Sequence, residues 1–549
     1  MRILISIFVS GVLCAAQETA HKRALTELNE RTLKANLTFL TSEPLAGRLS
    51  LERGSDVAAR WIVSEFSKAG LRGPAPGYLQ PVPLIEYVVD RDQTGVTIRT
   101  PHGEHLYRAP QASVAFPKAG TVSGSIVFAG FGITAPELGY DDYAGIDVKN
   151  KIVLIFDHEP QENDAKSIFS GKGSTRYAGS FVKVRTAQEH GAVAVLLMPE
   201  PVRAHLSAEE RRNKMAATSR RIGRIPSQAL EESELHIPLV SLSEAVGLEL
   251  LSSAKQKGAD LQTAIDRDLK PVSMDLPESS ASIQIALTSS RKAVGYNVVG
   301  LLEGSDPKLK EETIVISAHY DHDGQTGDGS YYPGADDNGS GTVGVVALAQ
   351  AFAKSGIRPR RSILFVVFDS EERGLLGSYY YVAHPLRPLA TTRAVINFDM
   401  IGRDEKPSAQ TDGLITISPD TTNEMNLVGS YYSPEYTAAV ERNSKKAGLK
   451  LSYKWDEEAA LNVFFRSDQY PFVLRGIPAM WWFTGFHPDY HQTTDTVEKI
   501  NFAKMARILE VAFRTAEEFG NAAKTPVFVP VAKPTPQVES ARQSPSSLL

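Results

Sequence analysis

Between Thr313 and Phe483 the chain alternates short, wholly apolar runs with helical stretches: TIVISAH, then GTVGVVALAQAFA, SILFVVFD, AVINFDM and IPAMWWF. A closing helical pattern follows through Phe502, Met505, Ile508, Leu509 and Phe513. A strand that is apolar on both faces must be covered on both faces, and interleaved helices supply that cover. These runs therefore predict an α/β unit on a mostly parallel mixed sheet flanked by helices.

Upstream, apolar residues recur at helical spacing from about Ala24 to Leu40 and from Ser55 to Gly70, with Ala58, Trp61, Ile62 and Phe66 on one face and Gly70 as a stop. Between about Gly120 and Met274 the texture changes to the strand-like runs SIVFAG, KIVLIFD, AVAVLLM and IPLVSLS, which predicts a separate β-rich insert.

At 549 residues the chain is too long for one small binding module. Lys+Arg 59 against Asp+Glu 64 leaves a net charge of -5, so nothing favours nucleic acid as a partner. The first residues, MRILISIFVSGVLCAAQ, read as a signal peptide over 1–16 and imply a secreted or periplasmic protein. No later run approaches the roughly 20 apolar residues of a membrane span. Cys14 is the only cysteine, and it lies inside that segment as the alternative site of a lipid anchor. Cleavage near Ala16 leaves no thiol, which removes disulfides, thiolate metal sites and cysteine nucleophiles. From Pro526 onward, proline, Ser and Gln without apolar period predict a disordered tail over 526–549.

Chemistry-bearing residues gather where the apolar strands end. His319 and Asp321 follow TIVISA, Asp336 and Asp337 lie in GADDNGSG, and Asp369, Glu371 and Glu372 follow SILFVVF. Asp399 follows AVINF, and His491 lies in DYHQTTDT. In open α/β sheets the ligand crevice lies at the carboxyl ends of the strands, so these groups are expected to converge. Histidines with carboxylates and no cysteine suit zinc better than a hard cation. The set is large enough for two ions sharing a carboxylate. Of the neighbours Glu371 and Glu372, one can bind metal while the other takes a proton.

The ordered set HYD (319–321), GADDNGSG (334–341), DSEERGLLGS (369–378), NFDMIGR (397–403) and YHQTTDT (490–496) resembles the secreted di-zinc aminopeptidases of metallopeptidase clan MH. That group includes bacterial leucyl aminopeptidase and aminopeptidase Y, with glutamate carboxypeptidase II and glutaminyl cyclases more distant. The resemblance implies a zinc-exopeptidase fold of the phosphorylase/hydrolase-like kind and two zinc ions per chain. It implies that Asp337 bridges the ions, that His319 and Asp399 complete one, and that Glu372 and His491 complete the other. Glu371 is then the general base, and Asp321 the carboxylate that orients His319. It also implies a cis Asp337–Asn338 peptide and hydrolysis of N-terminal residues from peptides by a metal-bound hydroxide.

SIVFAGFGITAPELGYDDYAGIDVKNKIVLIFD, with HGAVAVLLM after it, resembles the protease-associated domain inserted in such enzymes. The expected organisation is 22–119 as the N-terminal part of the peptidase unit, 120–274 as the insert and 285–522 as the catalytic part. The insert is expected to overhang the cleft as a lid or selecting wall. Its Arg-rich stretch 211–225 is expected to be a solvated loop. Gln469 departs from the His common in relatives, which puts pocket polarity in question. His322, Arg403, His487 and Tyr490 stand near the motifs as candidate substrate contacts. A carboxypeptidase or dipeptidase, a glutaminyl cyclase and a non-catalytic receptor are the alternatives, and Arg403 and Arg466 are the candidates to hold a substrate carboxylate. Peptides are the expected partners; the oligomeric state is not legible in the residues.

Overall fold

The computed structural model describes residues 19–530, apart from 165, 172, 204, 208–209, 211–224, 412–413 and 459–460. The expected signal segment with Cys14, nearly all of 211–225 and the tail beyond 530 lie outside the described residues.

A nine-stranded mixed sheet forms the larger half. Its centre is the strands Ser362–Phe368, Thr313–His319, Thr392–Phe398 and Ala479–Phe483, adjacent in that order and parallel. These are the wholly apolar runs of the sequence, and almost every residue in them is buried. Outward the sense changes. Leu287–Leu302 runs antiparallel to Ser362–Phe368, Leu79–Val89 antiparallel to that strand, and Glu424–Val428 antiparallel to Ala479–Phe483. The parallel character thus belongs to the centre, where both faces are covered, and is lost toward the margins.

One face is covered by the helices Arg53–Lys68, Gly341–Ser355 and Phe502–Asn521. Phe66, Phe352, Met505, Ile508, Leu509 and Phe513 pack there in one core with Ile316 and Trp482, and the Phe352 and Phe513 rings stack at 4.2 Å. Gly70 ends its helix at φ 69°, a left-handed conformation open to glycine without steric cost.

The second sheet has eight strands. Its centre is Gly120–Phe128, Ile152–Phe156, Ala194–Met198 and Leu239–Leu242, again parallel, and these are the four runs that mark the insert. The sheet also takes Gly95–Thr100 and Gly103–Tyr107 from before residue 120, and Met274–Ile285 after it. Conversely, Ser227–Leu230 leaves the insert to pair with Leu79–Val89 in the larger sheet. Only Ala286 separates Met274–Ile285 from Leu287–Leu302, so nearly continuous chain passes from one sheet to the other. No helix among the described residues is long and apolar enough to cross a membrane.

Candidate metal centre

The carboxyl ends of the four central strands bring the scattered motifs together. His319 closes its strand, Asp399 follows Thr392–Phe398, and Glu371 and Glu372 open a single 3-10 turn after Ser362–Phe368. Asp337 sits in the turn before helix Gly341–Ser355, and His491 arrives on the loop after Ala479–Phe483. All are buried or nearly so.

Asp337 lies between the two histidines. Its Oδ1 is 3.6 Å from His319 Nε2 and its Oδ2 is 3.0 Å from His491 Nε2. His319 Nε2 also faces Asp399 Oδ1 at 3.5 Å and Glu371 Oε2 at 3.6 Å. Glu372 Oε2 is 3.5 Å from His491 Nε2, and its Oε1 is 2.8 Å from His322 Nδ1. The other nitrogen of His491 meets Asp323 Oδ2 at 2.8 Å. Three groups with ligand atoms in mutual reach result: His319, Glu371 and Asp399; His322, Asp337 and Glu372; Asp323, Glu372 and His491.

The turn carrying Asp337 is held from several sides. Asp495 Oδ2 accepts the N–H of Asp336 at 2.9 Å and that of Asp337 at 3.2 Å. Asn338 Nδ2 donates to Phe398 O at 2.9 Å, which ties the turn to the strand that presents Asp399. The Asp337–Asn338 peptide is cis, as the resemblance implies. Gly334 has φ 55°, and a Cβ there would stand 2.3 Å from Asp337 O, so backbone space as well as conformation demands glycine. Arg48 is fully buried beneath the site. Its guanidinium donates to Tyr320 O, Pro333 O, Gly334 O and Leu40 O at 2.7–3.0 Å, which joins the loop after His319 to the one before Asp337. Burial pulls its pKa down to about 10 although Asp337 and Asp321 oppose the shift.

Asp321, Asp323, Asp337, Glu371, Glu372 and Asp399 together bring far more buried negative charge than three histidines and Arg48 offset. Unpaired buried charge is costly, so such a set needs cations or protons. His319 Nε2 and His322 Nε2 are buried and make no hydrogen bond among the described residues. Nitrogen and oxygen donors converging without thiolate fit a zinc-class cation. The neighbouring glutamates are driven apart. Burial and the nearby Asp399 and Glu372 push Glu371 well above the usual carboxylate range against the pull of His319. Burial also acts on Glu372, but His491 and His322 outweigh it and hold that carboxylate below its ordinary range.

Residues 297–516 match the sequence model of peptidase family M28, and residues 120–250 match that of the PA domain. The chain thus carries a stretch similar to peptidase family M28 and a second stretch similar to the PA domain. The chain is 30% identical over 212 residues to Leupeptin-inactivating enzyme 1 of Streptomyces exfoliatus, which covers 38% of this chain and 40% of that one. Over 290 residues it is 26% identical to Probable lipoprotein aminopeptidase LpqL of Mycobacterium tuberculosis, covering 49% of each. The chain thus spans about half the length of these relatives or less. Among solved structures it is similar to an aminopeptidase from Aneurinibacillus sp. strain AM-1, at 17% identity and TM-score 0.49 over 94% of this chain and 98% of that one.

Within the M28-like stretch, the expected site residues His319, Asp321, Asp337, Glu371, Glu372, Asp399 and His491 all lie at one centre. The carboxylate of Asp321 faces His319 and has further partners that the expectation did not include. It accepts the N–H groups of Glu371 and Glu372, while His319 Nδ1 lies 3.2 Å from the Asp321 carbonyl oxygen and 3.7 Å from its carboxylate. Arg403 is tied to Asp489 at 2.7 Å and Asp495 at 3.4 Å, His487 faces Asp336 at 3.3 Å, and both are spent on the frame. Arg466 donates to Tyr490 Oη at 2.9 Å and lies over the Phe486 ring; Tyr490 in turn is next to His491 in sequence and packs on its ring at 4.0 Å. Gln469 is buried with its amide on Phe464 O, a packing role. The motif reading passed over Asp323, Arg48 and Asp495; in HYDHD (319–323) the spacing of two between Asp321 and Asp323 was the available signal.

Proposed function

We propose that this chain is a zinc-dependent aminopeptidase in which Asp337 bridges two zinc ions, His319 and Asp399 hold one, and Glu372 and His491 hold the other. The observation that carries this reading is Asp337 between two histidines, with one carboxylate oxygen turned toward each. Zinc bound there supplies Lewis acidity toward a water molecule and toward the scissile carbonyl. Glu371, whose environment favours its protonated form far more than that of Glu372, accepts the proton from water and delivers it to the leaving amine. Asp321 keeps both glutamates in place through their amides. Asp323 orients His491 through the ring nitrogen that faces away from Asp337.

Peptides with a free N-terminus are the proposed substrates. The sequence segment 1–16 is proposed to direct export. The test is a pair of chromogenic panels, aminoacyl anilides against N-blocked peptides with a free carboxylate. Turnover of the anilides alone supports the aminopeptidase reading, whereas cleavage of the N-blocked series alone overturns it in favour of a carboxypeptidase.

A further inference from the structure

The rule that places the peptidase centre applies a second time in the smaller sheet. Its central strands are parallel too, and they end in polar residues: Asp157, His158 and Glu159 after Ile152–Phe156, and Glu200 after Ala194–Met198. From the neighbouring loops Glu162 and His205 complete a cluster with His158 and Glu200. Each of these four offers one ligand atom, all within 4.8 Å of one another.

The donors converge on a point rather than forming separate pairs. Glu162 spans both imidazoles, with Oε1 2.6 Å from His158 Nδ1 and Oε2 2.9 Å from His205 Nε2. His205 Nε2 also stands 2.5 Å from Glu200 Oε1, yet among the described residues neither atom makes a hydrogen bond, and both are buried. The two rings stack at 3.8 Å. His158 and Glu200 are 2% exposed, the His205 side chain 5% and the Glu162 side chain 13%, so the group is largely buried.

We propose that His158, Glu162, Glu200 and His205 form a structural site for one divalent transition cation of the zinc class, held by the PA domain and separate from the peptidase centre. Two imidazoles and two carboxylates without thiolate are the donor types such a cation takes. A buried dication resolves the close approach of His205 Nε2 to two carboxylates, and it adds positive charge to a buried acidic region that also acts on Lys183. The place has a structural consequence. His158 Nε2 is 3.4 Å from Asn462 Nδ2, and Ser174 O accepts from Tyr432 Oη at 2.7 Å, so this edge of the PA domain abuts the peptidase unit. Asn462 belongs to the segment that leads to Arg466 beside the centre.

The test is the metal content of the full chain after zinc loading and exhaustive dialysis, compared between the unaltered protein, Asp337→Ala, His205→Gln and Glu200→Gln. The proposal expects each of the last two to lose one equivalent while keeping turnover of a small aminoacyl anilide. It expects Asp337→Ala, depleted at the peptidase centre, to retain one equivalent that disappears in Asp337→Ala/His205→Gln. Cobalt in place of zinc supplies a second readout, a visible absorption band present in Asp337→Ala and absent from the double variant. Equal metal content with and without His205→Gln and Glu200→Gln overturns the site and leaves the cluster held by a proton. Because the comparison is a difference, it stands whether the peptidase centre holds one ion or two.

Discussion

Asp321 accepts the backbone N–H of Glu371 at 2.9 Å, and its second oxygen accepts that of Glu372 at 3.2 Å. One buried carboxylate thus sets the pitch of the turn that presents both glutamates. Hydrogen bonds to a charged acceptor contribute about 1.5–3 kcal/mol each, and Asp321→Asn turns one of these acceptors into a donor facing an N–H. The expected result is a lower Tm together with a fall in kcat, read by thermal unfolding and steady-state kinetics. Unchanged kcat in folded Asp321→Asn protein removes the positioning role.

Asp337 faces both histidines, whereas His319 and His491 each face one side of it. Asp337→Ala is therefore expected to abolish binding of both zinc ions, and His319→Ala or His491→Ala to weaken one. Metal analysis of the three variants checks this, and a fully active protein holding a single ion at the centre rules out the bridge.

Glu371 stands as far from His319 Nε2 as Asp337 does, 3.6 Å, so distance alone leaves a ligand role open to it. As the base, Glu371→Gln lowers kcat by ~10²–10⁴ and keeps the metal, the usual contribution of a positioned proton acceptor. If Glu371→Gln strips zinc and Glu372→Gln does not, the two roles are exchanged.

Asp323 meets the nitrogen of His491 that points away from the centre. Partners of metal-binding imidazoles are typically worth ~10–100-fold in metal affinity, so Asp323→Asn is expected to weaken zinc binding by that factor. Competition with a chromophoric chelator measures it, and the loss should match that of His491→Asn in sign and fall short of it in size.

Removal of residues 120–274 takes Gly120–Phe128 away from Met274–Ile285 and Ser227–Leu230 away from Leu79–Val89. Exposed strand edges favour aggregation. The expected outcome is insoluble protein rather than a peptidase of altered selectivity, checked by solubility and far-UV circular dichroism. A soluble, active product shows instead that the larger sheet tolerates the loss.

The sequence alone was enough for the α/β class, the parallel centre of the larger sheet and the gathering of polar residues at the ends of its strands. Short runs apolar on both faces, interleaved with longer helical patterns, read as buried strands, and polar residues at the ends of several such runs share the crevice where parallel strands stop. Tertiary structure decided the rest. That the Asp321 carboxylate meets the glutamate amides as well as His319 depends on the path of the chain between residues 319 and 372, which local pattern does not encode. Arg403 and Arg466 read alike as guanidinium donors, and only packing sets one against Asp489 and Asp495 and the other against Tyr490. Strand periodicity likewise does not say which sheet a strand joins, and so Gly95–Thr100 and Ser227–Leu230 end in sheets other than their sequence neighbours suggested. Partner choice is a long-range energy, decided by which edges and faces the whole chain leaves available.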